Sequence, residues 1–406
     1  MSSLQKSQRL HQVSYDIRGP LLQMAQQMEN HGHHIIKMNI GNPAPYRFNT
    51  PDEMLQDVIS NLSQAQGYCD AKGLFVARKA VMHYTQQCGV RGISTDDIYM
   101  GNGVSELIQI SMQALLNPGD EVLIPAPDYP LWSAMVNLCG AKAVYYRCVA
   151  EEQWAPDLAH IQSLITERSR AILLINPNNP TGAVYTAQQV QAIAALCEQH
   201  NLILLSDEIY DKIIFDQATH YPAALTIKKT LCITYGGLSK NYRAAGLRSG
   251  WMILSGNKVW AQDFIEGLDL LAAMRLCANV PAQLSVQTAL GGYQSINDLV
   301  RPQGRLYQQR AFLCEALNEI EGISCDWPQG ALYVFPKIDP ACYPQLDDHT
   351  FALQLLQQEK VLVVPGRSFH CESDRYFRLT LLPHIPVMEE AIRRIKRLLA
   401  RCYMLS

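Results

Sequence analysis

Among the 12 cysteines there is no C-x-x-C pair, so neither a zinc-ribbon nor a thioredoxin-type signature is present. The chain has no run of the roughly 18–20 apolar residues that a membrane span requires. Its longest apolar stretches, such as Ala171–Ile175, are strand-sized. The opening MSSLQKSQRLHQ has no apolar segment of the kind a secretory signal needs. No G-x-x-x-x-G-K-[ST] phosphate loop occurs. There is no long basic run, and the formal net charge is −3, opposite to a nucleic-acid footprint. These absences predict a soluble cytoplasmic protein with reduced thiols and neither nucleic-acid nor membrane partners. His31-Gly32-His33-His34 reads as a surface turn, and no metal is expected.

What is present suits a large core. Hydrophobic residues make up 48% of 406 positions and charged residues 17%. That length fits two unequal lobes, or one large α/β domain with an appendage. Glu121–Pro125, Ala171–Ile175, Asn201–Leu205 and Leu231–Thr234 read as strands, and their near-continuous apolar character suits parallel strands buried on both faces. Helical patterns separate them. Thr186 can cap one with Val190, Ile193, Ala194 and Cys197 on a single face. Another follows Gly103, with Leu107, Ile108, Met112 and Leu115 at helical spacing, and stops at Asn117-Pro118-Gly119. The expectation is an α/β large domain with a mostly parallel central sheet flanked by helices. Beyond Arg301 the texture changes to long helical patterns with the strand-like runs Ala331–Phe335, Val361–Val364 and Phe377–Thr380, then a charged helix near Glu389–Leu399. This reads as a smaller α+β domain, with the N-terminal arm packed against it. The expected boundaries are 1–48, 49–300 and 301–406.

In open α/β sheets ligands bind beyond the carboxyl ends of the strands. Four loops there carry chemistry-bearing residues. Gly101-Asn102-Gly103-Val104-Ser105-Glu106 opens a helix whose free N–H groups can face phosphate, although glycine also starts helices that bind nothing. It is not G-x-G-x-x-G, because Glu106 stands at the last glycine. Asn176–Gly182 is a stiff turn that can present the Asn179 amide. Asp207 ends an apolar strand, where a carboxylate is costly without a partner such as a protonated ring nitrogen. Tyr210 follows it. Lys240 lies just beyond another buried strand, where an amine can form a Schiff base, with Arg243 and Arg248 downstream. A phosphate cradle, a carboxylate for a pyridine nitrogen, a nearby tyrosine and a lysine are the parts pyridoxal 5'-phosphate (PLP) needs.

At these residues the sequence resembles the fold-type I, class I aminotransferases. The shared segments are Asn39-Ile-Gly41-Asn-Pro43, Gly67-Tyr68, Gly103-Val104-Ser105, Pro127-Asp-Tyr129-Pro130, Asn176–Gly182, Asp207–Tyr210, Ser239-Lys240, Arg248 and Phe377-Arg378. They occur in the family's order across most of the chain. The phrases YDIRGP, NIGNPAP, QGYCDAKG, PAPDYPLW and MRLCANVPAQ resemble the bacterial glutamate–pyruvate (alanine) aminotransferases in particular.

The resemblance implies an aspartate-aminotransferase-like fold and a role for each residue. Lys240 would anchor PLP covalently and shuttle the proton. Asp207 would pair with the ring nitrogen, Tyr210 and Asn179 would bond the ring oxygen, and Tyr129 would stack on the ring. Gly103, Val104, Ser105, Ser239 and Arg248 would hold the phosphate, with Tyr68 contributed by the second subunit of a homodimer. Arg378 and Gly41 would receive the substrate α-carboxylate, with Asn179 beside them. One departure is Gly237, where many relatives carry a phosphate-binding serine.

The implied reaction is ping-pong transamination between L-alanine and 2-oxoglutarate. Arg378 reads all α-amino acids alike, so acceptance of both alanine and glutamate points to the N-terminal arm. There Arg18 is the expected cation for the glutamate side chain and Tyr15 a pocket wall; Arg18 also has a simpler role in tying the arm down. A sibling aminotransferase for aromatic or branched-chain amino acids, a PLP lyase, and a ligand-sensing regulator with an aminotransferase-like domain are the rival readings.

Overall fold

The computed structural model describes residues 4–403, with the side chains of Gln12, Arg18 and Tyr403 outside the described set. An eight-stranded sheet forms the centre. Its strands are β1 (Ile98–Gly101), β2 (Glu121–Ala126), β3 (Lys142–Val149), β4 (Ala155–Pro156), β5 (Ser169–Ile175), β6 (Ile203–Asp207), β7 (Leu231–Gly237) and β8 (Gly250–Gly256). The order across the sheet is β1-β8-β7-β6-β5-β2-β3-β4. From β7 through β6, β5 and β2 to β3 the strands run parallel. β8 is antiparallel to both of its neighbours, and the short β4 is antiparallel to β3.

The apolar runs form strands because both faces are covered. Val122, Ile124, Leu173 and Leu205 enter one core, while Leu123, Ile172, Leu174 and Leu204 enter another on the opposite face. One strand start differs from its sequence reading. Asn201 is in the left-handed region at φ 54°, ending the helix Ala187–His200, and the strand begins at Ile203. The other end of that helix carries the expected Thr186 cap, closed reciprocally by Gln189. The helix Val104–Leu115 buries Leu107, Ile108 and Met112 and leaves Leu115 half-exposed.

A further core joins Ile36, Met38 and Phe48 to residues between Leu306 and Leu399. Here strand pairing is shorter than the apolar runs suggest. Ala331 adopts φ 60°, so only Tyr333–Val334 of Ala331–Phe335 is extended enough to pair. Val361–Leu362 pairs with Ile36–Lys37, whereas Val364–Pro365 pairs with Phe377–Thr380, which splits the Val361–Val364 run between two sheets. The last helix, Ile385–Tyr403, is longer than its sequence signature. Among the described residues no helix is long and apolar enough to cross a membrane.

Strand order reverses between β2 and β5, because the chain moves outward through β3 and β4 and returns on the other side of β2. The carboxyl ends of β2, β5, β6 and β7 therefore share one edge beside that reversal, which is where α/β sheets bind ligands. The loops with Tyr129, Asn179, Asp207 and Lys240 all open there.

Candidate active site

Asp207 ends β6 and is 4% exposed. Its Oδ2 accepts from Trp132 Nε1 at 3.1 Å, and its Oδ1 accepts from the Ile209 amide at 3.3 Å. Burial pushes the carboxyl up to about 6, against the pull of those two donors and of the Lys240 charge. Lys240 Nζ donates to the Gly41 carbonyl at 2.7 Å and lies 5.9 Å from the Tyr210 ring centre. A buried carboxylate and an amine thus face the same space without pairing with each other.

Tyr210 is buried, and its hydroxyl lies 3.0 Å from that of Tyr333. Burial raises the Tyr210 hydroxyl well above its ordinary range. Burial acts the same way on Tyr333, but the Lys240 and Arg378 cations and the bond from Tyr210 outweigh it and leave that hydroxyl lowered. Tyr333 also accounts for Gly41. A Cβ at Gly41 would lie 2.1 Å from Tyr333 Oη, so glycine makes room for this hydroxyl whatever it does for a substrate.

Arg378 is 2% exposed. Its Nη1 donates to Asn179 Oδ1 at 2.7 Å and its Nη2 to the Asn39 carbonyl at 2.5 Å, while Nε is buried without a partner. The guanidinium lies 4.1 Å from the Tyr333 ring centre and 4.5 Å from that of Phe369. Among the described residues no carboxylate pairs with it. A buried cation held only by neutral acceptors and rings is a receptor for an anion. The turn that supplies Asn179 is fixed from within. Asn178 Oδ1 accepts from Thr181 N and Oγ1, Asn176 Oδ1 accepts from Tyr185 N, and a Cβ on Gly182 would lie 2.3 Å from Pro328 Cβ.

Gly103 precedes the helix Val104–Leu115 at φ +80° and offers no side-chain cap to its amides. A Cβ there would lie 2.2 Å from an Arg248 guanidinium nitrogen. Arg248 donates to the Ala245 and Asn102 carbonyls and, among the described residues, to no carboxylate. Helix-start amides without a side-chain cap, and a guanidinium with no carboxylate among the described residues, are what a phosphate requires. Ser105 and Ser239 stand half-buried beside this loop and Lys240 respectively. At Gly237 a Cβ would lie 3.0 Å from the Ser249 carbonyl and 3.1 Å from Gly250 Cα, so a serine there would have to push β8 aside. Glu106, which ruled out G-x-G-x-x-G, braces the loop: it accepts from Asn102 N and Nδ2 and from Arg275 Nη1.

Tyr15 brings the N-terminal arm to the site, its hydroxyl 3.0 Å from that of Tyr129. Arg18 belongs to a short 3-10 turn, Asp16–Arg18, and its side chain lies outside the described residues. Tyr68 is 81% exposed and does not enter this chain's own site. Tyr333 and Trp132 were missed by the sequence reading, although Trp132 closes the PAPDYPLW phrase. So was the Asp128–His370 pair at 2.8 Å, which ties the Tyr129 loop to the segment bearing Phe369.

These residues fit PLP. The raised Asp207 carboxyl calls for a cation such as a ring N–H, and the Gly103 and Arg248 cradle lies at the same edge as Lys240. The family described as aminotransferase class I and II matches residues 33–395, and the chain belongs to it. Its cofactor is PLP and its activity that of a transferase. The chain is 53% identical to the glutamate-pyruvate aminotransferase AlaA of Escherichia coli K12 over 405 residues, covering all of both chains. It is 50% identical over 391 residues to an alanine aminotransferase of Mycobacterium tuberculosis, covering 96% of this chain and 91% of that one. An E. coli aminotransferase structure superposes with a TM-score of 0.96 at 53% identity, covering 98% of this chain and 99% of that one. The alanine aminotransferase of Pyrococcus furiosus does so at 0.93 and 35% identity, covering 98% and 100%.

Proposed function

We propose that this chain is an alanine aminotransferase that exchanges L-alanine and 2-oxoglutarate for pyruvate and L-glutamate, working by a ping-pong route as a cytoplasmic homodimer. The observation that carries the site assignment is Arg378: a buried cation with no carboxylate partner among the described residues and an unpartnered Nε, packed on Tyr333, whose hydroxyl also feels the Lys240 charge. The choice of substrates rests on the full-length similarity to enzymes named for alanine, glutamate and pyruvate.

PLP, when bound, supplies an electron sink for the pair released as the Cα–H bond breaks, and it stores the amino group between half-reactions. The protein does the rest. Arg378 holds the α-carboxylate through Nε and one Nη, with Gly41 and Asn179 alongside. Lys240 Nζ would anchor the cofactor and move the substrate's Cα proton. Asp207 keeps the ring nitrogen protonated. Tyr210 and Asn179 bond the ring oxygen, and Tyr129 covers a ring face. Gly103, Val104, Ser105, Ser239 and Arg248 hold the phosphate.

Tyr68 of a second copy completes that phosphate site. Its exposure, together with that of Ile59, Leu62 and Phe75, supports an apolar face covered by the partner. Tyr15 walls the substrate pocket and Arg18 meets the glutamate side chain. The lobes divide at 1–48, 49–300 and 301–406.

A panel of amino donors against pyruvate and 2-oxoglutarate tests this. Alanine with 2-oxoglutarate, and glutamate with pyruvate, are expected to give the highest kcat/KM. Preference for an aromatic or branched-chain donor would reject the substrate assignment. Arg18→Ala should weaken glutamate and 2-oxoglutarate more than alanine, whereas equal losses would remove Arg18 from side-chain recognition.

A further inference from the structure

We infer that Tyr333 is a positioning residue that serves both halves of the site: its ring seats Arg378 for the substrate carboxylate, and its hydroxyl directs the Tyr210 hydroxyl toward the cofactor. This rests on the roles proposed above for Arg378 and Tyr210. Three separate observations carry it. The Arg378 guanidinium stands over the Tyr333 ring at 4.1 Å, close enough for a cation–π contact in a site closed to water. The Tyr333 and Tyr210 hydroxyls are 3.0 Å apart, with the rings edge-on. The backbone yields to this hydroxyl at Gly41, whose Cβ would collide with it, and the Gly41 carbonyl is the acceptor of Lys240 Nζ. One tyrosine thus touches the carboxylate receptor, the ring-oxygen donor and the residue that steadies the lysine.

The surroundings give the hydroxyl pair a direction. Tyr333 is acted on by Lys240, Arg378 and Tyr210, and Tyr210 by Arg378, Tyr129 and Tyr333. The two cations favour electron density on the Tyr333 oxygen, so in the cofactor-free chain Tyr210 donates and Tyr333 accepts. With the cofactor in place, the Tyr210 hydroxyl would donate its hydrogen bond to the ring oxygen instead. That leaves the Tyr210 oxygen free to accept from the Tyr333 hydroxyl, which lies 3.0 Å away. A chain of hydrogen bonds ordered this way polarises its outer donor and stabilises negative charge on the ring oxygen.

Two substitutions separate hydroxyl from ring. Tyr333→Phe removes the relay and keeps the ring. Tyr333→Leu removes both. The first readout is the pH at which the absorbance of the lysine-anchored cofactor titrates, and the second is the Kd of a non-reacting carboxylate such as acetate; neither is turnover. For Y333F we expect the titration to move upward by about 0.5–1 pH unit, with acetate affinity kept within about twofold. For Y333L we expect the same upward move and an additional loss in acetate affinity of about 2- to 30-fold, the range of a cation–π contact.

Y210F and R378M are measured alongside. If Y210F shifts the titration and Y333F does not, the relay is overturned; if Y333L binds acetate as the wild type does while R378M does not, the seating role is overturned. If Y210F and R378M themselves change nothing, the underlying assignments fall, and this inference with them. Should Y333L fail to load cofactor, Y333F decides the relay and Y333W, which keeps an aromatic face, decides the seating.

Discussion

Two of the places where the molecule buries charge treat it differently. At the junction with the last helix, Glu359 is 4% exposed and fully answered: Arg397 Nε and Nη2 reach Oε2 at 2.9 and 2.5 Å, and Arg401 Nη2 reaches Oε1 at 2.5 Å. Its pKa is lowered because those bonds outweigh burial. At the sheet edge, Arg378 and Asp207 are buried about as deeply, yet each is held by neutral groups, and burial wins over the bonds they make. Glu359 is neutralised inside the chain. Arg378 and Asp207 are left for a ligand to neutralise, and the cofactor-free protein carries that cost.

The largest expected effect comes from removing an unanswered charge that a substrate needs. Arg378→Met should lower kcat/KM for alanine by about 30- to 4,000-fold, the equivalent of the 2–5 kcal/mol lost when one member of a buried charge pair is truncated. The cofactor-free variant should unfold no more easily than the wild type. A large loss of stability instead would place Arg378 with Glu359, as part of the framework.

Asp207 tests the same contrast through pH. Its folded-state pKa of about 6 lies above the ordinary value of 3.8, so the folded chain binds this proton more tightly than the unfolded one. Stability from this group is therefore greatest below about pH 4 and falls as pH rises toward about 6, by up to about 3 kcal/mol. In chemical denaturation of the cofactor-free protein, the wild type minus Asp207→Asn difference should show that fall. D207N should be the more stable protein at pH 7 and bind PLP more weakly. A pH-independent difference would mean that Asp207 is already neutralised.

Glu359 should behave oppositely. Its lowered pKa means a contribution present above the ordinary carboxylate range and lost on acidification. Glu359→Gln should destabilise the protein at pH 7 by roughly 1–3 kcal/mol, since both arginines are half-exposed and screened. Equal unfolding curves for E359Q and wild type would erase the contrast from this side.

The same physics governs how much was legible from the sequence. Asp207 and Lys240 are legible because a charged residue at the end of an apolar strand is anomalous wherever it occurs. Asn179 is legible because its turn is dense in proline and glycine. Tyr333 and Trp132 were not, because an aromatic residue inside an apolar run looks like core, and each is core except for one polar atom. Trp132 meets Asp207 from 75 positions away, which only the sheet order brings about. The split of Val361–Val364 between two sheets is also tertiary: the pattern marks the residues as extended but does not name their partners.

The most direct test of the site's central residue is the first half-reaction followed by absorbance with L-alanine alone. Wild type should lose the spectrum of the lysine-anchored cofactor, release one pyruvate per site, and recover that spectrum on adding 2-oxoglutarate. Lys240→Ala should lack the anchored spectrum and turn over at least on the order of 10³-fold more slowly, as befits loss of the proton carrier. A K240A protein that kept the wild-type spectrum and cycled between alanine and 2-oxoglutarate would contradict the assignment.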